Sequence, residues 1–346
     1  MANIQFAGAR VSDYGAQDPD GGVCQGAGSY STSGGKVDFG SPLVPSLSCP
    51  CNNTASFYAN YWTGVAKGMS QLFSGSQPCI VYIVGDIVSG EFPAELSGLG
   101  LVSGYGYSSA GAQANSDTMI AAYNAAGVKV IIQVEPDDPQ VSSSGSTNLV
   151  ANAKKLMQYY SKYPNVVGFG VDNEWFSGTM SATVANNLVA AVHSINSSYT
   201  IFIKHYDQSK LPKGIAGMTY CTDTMGFSSR SSAVGNYVAG DDSYAGFAAT
   251  FAPNPIAYQF GYDEYQYSGN TTFGGGDLTW LNPLGTNGQP ALKLIQDLQA
   301  KIPTSQQIQG VFWVDFTVAS QFPTSGGGGG GGVTCSGPPS CNLKVT

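Results

Sequence analysis

VVGFGVD at residues 166–172, followed at once by Asn173, Glu174, Trp175 and Phe176, is the stretch on which the fold turns. An unbroken apolar run of strand length that ends in acids reads as a strand buried on both faces, with its polar end at an edge. The pattern recurs on either side: CIVYIVG (79–85), KVIIQVE (129–135), TIFIKH (200–205), GMTYC (217–221), IAYQFG (256–261) and GVFWVDF (310–316). Helix-like stretches at 55–73, 117–126, 149–162, 181–195 and 290–301 separate most of them, and Gly127 stands where a helix C-terminal glycine belongs. Buried strands alternating with amphipathic helices are the signature of a parallel sheet covered on both faces.

A weaker run, LGLVSGY at 99–105, brings the strand count to eight. Eight strands predict an α/β fold of the closed (β/α)8 TIM-barrel type, with the barrel spanning 55–324. The rival is an open doubly wound sheet. That fold usually carries a Gly-rich phosphate loop after its first strand, where this chain has Gly85-Asp86-Ile87.

Residues 1–54 read as a Gly/Ser/Pro-rich N-terminal extension, pinned to the body by disulfides. Residues 325–346 read as a linker and tail, opening on seven glycines from Gly326 to Gly332. Of the seven cysteines, Cys24, Cys49, Cys51 and Cys79 cluster early, Cys335 and Cys341 late, and Cys221 stands alone. Zinc is the competing reading, but Cys49-Pro-Cys51 is too tightly spaced for the usual knuckle and both histidines, His193 and His205, are remote from it. Disulfides, with one thiol left over, and the sequons at Asn52, Asn196 and Asn270 point to a secreted, extracellular protein. No metal and no cofactor are expected.

Charge narrows the partners. The chain of 346 residues carries 14 Lys+Arg against 22 Asp+Glu, and charged residues make up only 10% of it. Arg occurs only at Arg10 and Arg230, so nucleic acid is an unsuitable partner. No apolar run reaches the roughly 18 residues of a membrane span. Sparse charge also predicts tolerance of low pH, since few ion pairs are available to be lost.

Active sites of these barrels lie at the C-terminal ends of the strands, so the residues that close each run matter most. They include Asp86, Glu135, Asp172-Asn173-Glu174-Trp175, His205-Tyr206-Asp207, Tyr220, Asp223, Tyr262-Asp263-Glu264, Trp313 and Asp315. A chain with so few charges has gathered its acids on one rim. Paired carboxylates among aromatic faces suit cleavage of a glycosidic bond: one acid protonates the leaving oxygen and a second attacks or stabilises the oxocarbenium centre. Tyr and Trp stack on sugar rings, and Asn and His bind hydroxyls. Alternation along a strand puts Asp172 and Glu174 on one face, and two like charges that close raise one pKa, keeping a carboxyl protonated for acid catalysis.

Asn173-Glu174 resembles the Asn-Glu that ends strand four of the clan-A retaining glycoside hydrolases, a group that includes cellulases, xylanases and mannanases. The resemblance implies Glu174 as acid/base, Asn173 as binder of the sugar 2-hydroxyl, Glu264 at the end of strand seven as nucleophile, and Trp313 as the aromatic platform of strand eight. No strand-two Arg and no strand-three His-Asn equivalent are found. Asp172-x-Glu174 together with Met218-Thr219-Tyr220 is similar to the chitinase-type barrels, and the Asp-x-Glu also to lysozyme-like ones; there Asp172 would orient the substrate's own acetamido group. In that family Asp stands where this chain has Gly168 and Gly170.

The expectation is therefore a glycoside hydrolase acting on a β-linked polysaccharide, with Glu174, Glu264 and Asp172 as catalytic candidates. Asn173, Trp175, His205, Asp207, Tyr220, Tyr262 and Trp313 are the substrate-binding candidates. A non-catalytic carbohydrate-binding or surface protein, and a metal-dependent deacetylase or phosphodiesterase on the same acids, remain the alternatives.

Overall fold

The computed structural model describes residues 4–12, 36–37, 47–48, 55–85, 91–92, 94–101, 106–107, 116–136, 146–173, 179–223, 230–235, 243–261, 272–273, 276–277, 279–281, 283–284 and 288–315. Eight strands close into one barrel: β1 (Phe6–Ser12), β2 (Gln77–Gly85), β3 (Lys129–Val134), β4 (Val166–Asp172), β5 (Thr200–Lys204), β6 (Met218–Thr222), β7 (Ile256–Phe260) and β8 (Ile308–Val314). Every neighbouring pair is parallel, and β1 pairs with both β2 and β8 to complete the ring.

Helices fill most crossovers: α1 (Ala55–Leu72), α2 (Ser116–Ala125), α3 (Ser146–Tyr160), α4 (Ala182–His193), α5 (Arg230–Val234), α6 (Tyr244–Phe251) and α7 (Gln289–Lys301). Between β5 and β6 there is instead a single 3-10 turn at Gln208–Lys210. The fold is a (β/α)8 barrel with one shortened crossover.

The first stave differs from the sequence expectation. It is Phe6–Ser12, inside the segment read as an extension, so the barrel begins well before residue 55. The eight staves of the closed barrel do not include the run at 99–105, whose first residue ends a 3-10 helix (Ala94–Leu99), and the strand at 79–85 is second rather than first. The physical reason lies in what β1 turns inward. Alternation places Phe6, Gly8 and Arg10 on its inner face, so the run never looks continuously apolar. A side chain at Gly8 would strike the Cys79 carbonyl oxygen on β2, and glycine there permits the two strands to lie close.

Two apolar clusters result. The larger fills the shell between strands and helices. In it α1 buries Tyr58, Tyr61, Trp62, Val65 and Met69, one helical face at three- and four-residue spacing. The smaller cluster is the barrel's own interior: Phe6, Cys79, Val81, Ile131, Phe202, Cys221, Ala257 and Phe312. Below it, at the N-terminal end, Gln309 Nε2 donates to Thr200 Oγ1 (3.0 Å) and Gln5 Oε1 (3.3 Å), and Thr219 donates to Gln309 Oε1. A polar plug therefore closes the bottom.

Helix ends follow local chemistry. Ser181 caps α4 by accepting the Val184 N–H at 3.2 Å, and Ser243 caps α6 through Gly246 N–H at 3.0 Å. No helix among the described residues is long and apolar enough to cross a membrane.

Cys79, expected in a disulfide, is a free thiol buried at the barrel centre. Cys24, Cys49, Cys51, Cys335, Cys341 and the glycine run lie outside the described residues.

Candidate active site at the C-terminal mouth

Above the apolar interior the barrel becomes densely charged. Lys204, at the end of β5, places Nζ 2.9 Å from Asp172 Oδ2 on β4 and 2.5 Å from Asp223 Oδ2 just beyond β6. Arg10 on β1 reaches across to Glu135 beyond β3, with Nη2 to Oε1 at 2.5 Å, and the same nitrogen lies 3.7 Å from Asp172 Oδ2. Gln133 donates to Asp172 Oδ2 at 3.4 Å and accepts from Gln259 Nε2 of β7 at 3.0 Å.

Alternation produces this layer. Arg10, Gln133, Asp172, Lys204 and Gln259 each stand two positions beyond an inward residue of the apolar layer or an inward glycine, so they form the next storey toward the mouth. The charged groups here, Arg10, Lys204, Glu135, Asp172 and Asp223, are all almost wholly buried. Burying an ion costs several kcal/mol even after relaxation, and a well-packed apolar core would serve stability as well or better. A chain so poor in charge that still sinks two cations and three carboxylates here makes this end of the barrel the candidate site. Among the described residues no group of three or more His, Cys, Asp or Glu could hold a metal ion; Lys204 and Arg10 stand between the acids.

The candidates read from sequence separate on this frame. Asp172 lies at the centre of the floor, fully buried and ion-paired to Lys204. Asn173 is buried beside it, its backbone N–H donating to the Lys204 carbonyl at 2.9 Å. His205 follows Lys204 directly and is 1% exposed. Its Nδ1 accepts the Asp207 N–H at 2.8 Å. Burial lowers the imidazole pKa to about 4, against the pull of Asp207, Asp172 and Asp223.

Asp207 has a local role: it caps the 3-10 turn, its Oδ1 accepting from Ser209 N–H (2.8 Å) and Ser209 Oγ (2.6 Å). Partial burial pushes its pKa up, but the Ser209 hydrogen bonds outweigh that and leave it lowered.

Two expected substrate contacts are placed elsewhere. Trp313 is fully buried in the strand–helix shell, its ring 4.5 Å from that of Phe260 and 6.1 Å from Phe73, its indole N–H donating to the Trp280 carbonyl at 3.3 Å. Tyr220 stacks on Phe251 of α6 at 4.0 Å and donates its hydroxyl to the Pro212 carbonyl at 2.5 Å. Both point outward from the barrel, so neither is a sugar platform at the mouth. Glu174, Trp175, Tyr262 and Glu264 lie outside the described residues.

The structure adds residues that the sequence reading passed over. Arg10, Lys204, Gln133 and Gln259 build the floor. Tyr206, already read as part of the strand-five ending, presents its ring beside His205. Tyr206 is 42% exposed, the one large hydrophobic side chain left exposed among the described residues. A signal existed for Arg10: one of only two arginines in the chain sits inside a short alternating run, an unlikely place for a solvated charge.

No protein-family model matches the chain, and no curated protein matches it. Among solved structures it is similar to the catalytic domain of the major endoglucanase from Xanthomonas campestris pv. campestris, at 17% identity over 68% of this chain and 75% of that one, with a TM-score of 0.40. It is also similar to Fpglu1 from Fervidobacterium pennivoraus (10% identity, 94% and 90% covered, TM-score 0.44). A third is D-psicose 3-epimerase from Clostridium cellulolyticum H10 (11%, 74% and 78%, TM-score 0.35). Likenesses this loose say nothing about activity.

Proposed function

We propose that the chain is an exported glycoside hydrolase that cleaves a β-linked polysaccharide at the C-terminal mouth of the barrel. In this reading Glu174 is the acid/base and Glu264 the nucleophile. The observation that carries it is the buried charged floor: Asp172, clamped by Lys204, stands two positions before Glu174 in the strand that feeds the mouth. Asp172 is then a positioning residue. Its ion pairs hold the end of β4 rigidly, which an acid/base needs if its carboxyl is to stay within hydrogen-bond reach of a leaving oxygen.

The chitinase-type alternative is less well supported. A Cβ at Gly170 would fall within the Phe202 ring, and one at Gly168 would strike the Thr200 carbonyl oxygen. The interior therefore has no room for the aspartates that family carries there, and Asp172 is committed to Lys204 rather than open to an acetamido group.

Release of reducing ends from a panel of soluble and insoluble polysaccharides, with and without EDTA, tests the proposal. Activity indifferent to the chelator and lost in Glu174→Gln supports it. Binding without turnover favours the carbohydrate-binding alternative, and EDTA-sensitive release of acetate or a phosphomonoester, without new reducing ends, favours the metal-dependent one.

A further inference from the structure

His205 carries a buried donor that no described residue receives. Its Nδ1 accepts the Asp207 N–H at 2.8 Å, which fixes the neutral tautomer with the proton on Nε2. Nε2 is buried and makes no hydrogen bond among the described residues. An unmet buried donor costs about 1–3 kcal/mol, and folded proteins rarely leave one without a purpose. Burial also keeps the ring neutral down to about pH 4, so Nε2 remains a donor of unchanged charge through the mildly acidic range.

The next residue supplies the complementary half. The Tyr206 ring is exposed, with its centroid 4.7 Å from that of the imidazole and the two planes at 48°. An open aromatic face beside a directed N–H matches a pyranose ring, which has apolar C–H faces and a girdle of hydroxyl acceptors. The shortened β5–β6 crossover presents the pair, since the 3-10 turn capped by Asp207 begins immediately after it.

Resting on the glycosidase reading, we propose that His205 and Tyr206 form a monosaccharide subsite at the end of β5, in which the sugar stacks on Tyr206 and one of its hydroxyl oxygens accepts from His205 Nε2–H. Tyr206 takes the platform role that the buried Trp313 cannot fill.

The chain has only two histidines, which makes the donor directly observable. In protein labelled with ¹⁵N-histidine, the Nε2 resonance of His205 is followed while cellotetraose, xylotetraose and mannotetraose are added in turn to the full chain. His193, whose Nε2 lies 3.0 Å from the carbonyl of Tyr199 at the opposite end of β5, serves as internal control. The expected result is a saturable shift of His205 with at least one sugar while His193 stays still. His205→Ala and Tyr206→Ala each weaken that sugar's affinity about tenfold, the size of one lost hydrogen bond or stacking contact. Tyr206→Phe binds like wild type, because the platform needs no hydroxyl. Tyr206 is exposed, so its variants report even if His205→Ala fails to fold.

A sugar that binds or is hydrolysed while His205 stays unmoved and Tyr206→Ala is silent overturns the subsite and leaves the glycosidase reading standing. A sugar that shifts His205 but is never cleaved upholds the subsite and removes the hydrolase. No binding and no cleavage of any sugar removes both.

Discussion

Lys204 Nζ lies 2.9 Å from Asp172 Oδ2 and 2.5 Å from Asp223 Oδ2, with all three side chains almost completely shielded from water. One ammonium thus ties together the ends of three consecutive strands. Removing it leaves Asp223 buried without that cation and Asp172 with only Arg10 at 3.7 Å, and a buried pair broken on one side typically costs about 3–5 kcal/mol. Lys204→Met is therefore expected to lower unfolding free energy by about that amount in urea titration, and Lys204→Met combined with Asp172→Asn to recover part of it. An unchanged midpoint in the single variant would show that water reaches the floor.

Gly170 faces the Phe202 ring too closely for any side chain. Gly170→Ala is expected to destabilise by about 1–3 kcal/mol through overpacking, and Phe202→Leu in the same chain to relieve part of that loss. Thermal unfolding of the two variants measures it. Full stability in Gly170→Ala would mean that the interior has slack, reopening room for an aspartate-bearing strand four.

Acid should act on the fold in two windows. The folded His205 has a pKa near 4 against an ordinary 6.5, so the unfolded chain takes up a proton first and stability falls as pH drops from about 6.5 to 4. Asp207 has a lowered folded pKa, so its contribution is present above its ordinary 3.8 and is lost as pH falls through its folded value. The expected profile of unfolding temperature is a mild decline from pH 6.5 to 4, flattened in His205→Gln, then a further decline that Asp207→Asn reduces. An identical slope in His205→Gln would contradict the assignment.

Cys79 and Cys221 are buried among Phe6, Phe202 and Phe312, and burial pushes the Cys79 thiol well above its ordinary pKa. Of seven cysteines these two leave five, an odd number, so denatured, unreduced protein should show at least three reactive thiols rather than the single one that counting alone suggests. Native protein should react far more slowly at both buried positions. A denatured count of one would place at least one of Cys79 and Cys221 in a bridge.

The strands from β2 to β8 were legible because each is a compact apolar run closed by a polar residue or a glycine. The stave β1 was not, because its inner face carries a glycine that admits the neighbouring strand and an arginine that serves the floor. Site residues were legible as positions but not as directions. In a strand buried on both faces, composition does not tell inside from outside, so outward Trp313 and Tyr220 look the same as inward residues. Lys204 was hidden for a related reason: a lone lysine closing TIFIK reads as a strand reaching solvent, whereas its charge is met by acids from the strands on either side.

The most direct test of the central claim is turnover by Glu174→Ala with and without sodium azide. The account predicts a fall on the order of 10²–10⁴ in polysaccharide turnover. On an aryl β-glycoside with a good leaving group it predicts restored turnover on adding azide, with a β-glycosyl azide as product, because a nucleophile other than Glu174 has already formed the glycosyl-enzyme. Undiminished activity in Glu174→Ala, or an α-configured azide product, would contradict it.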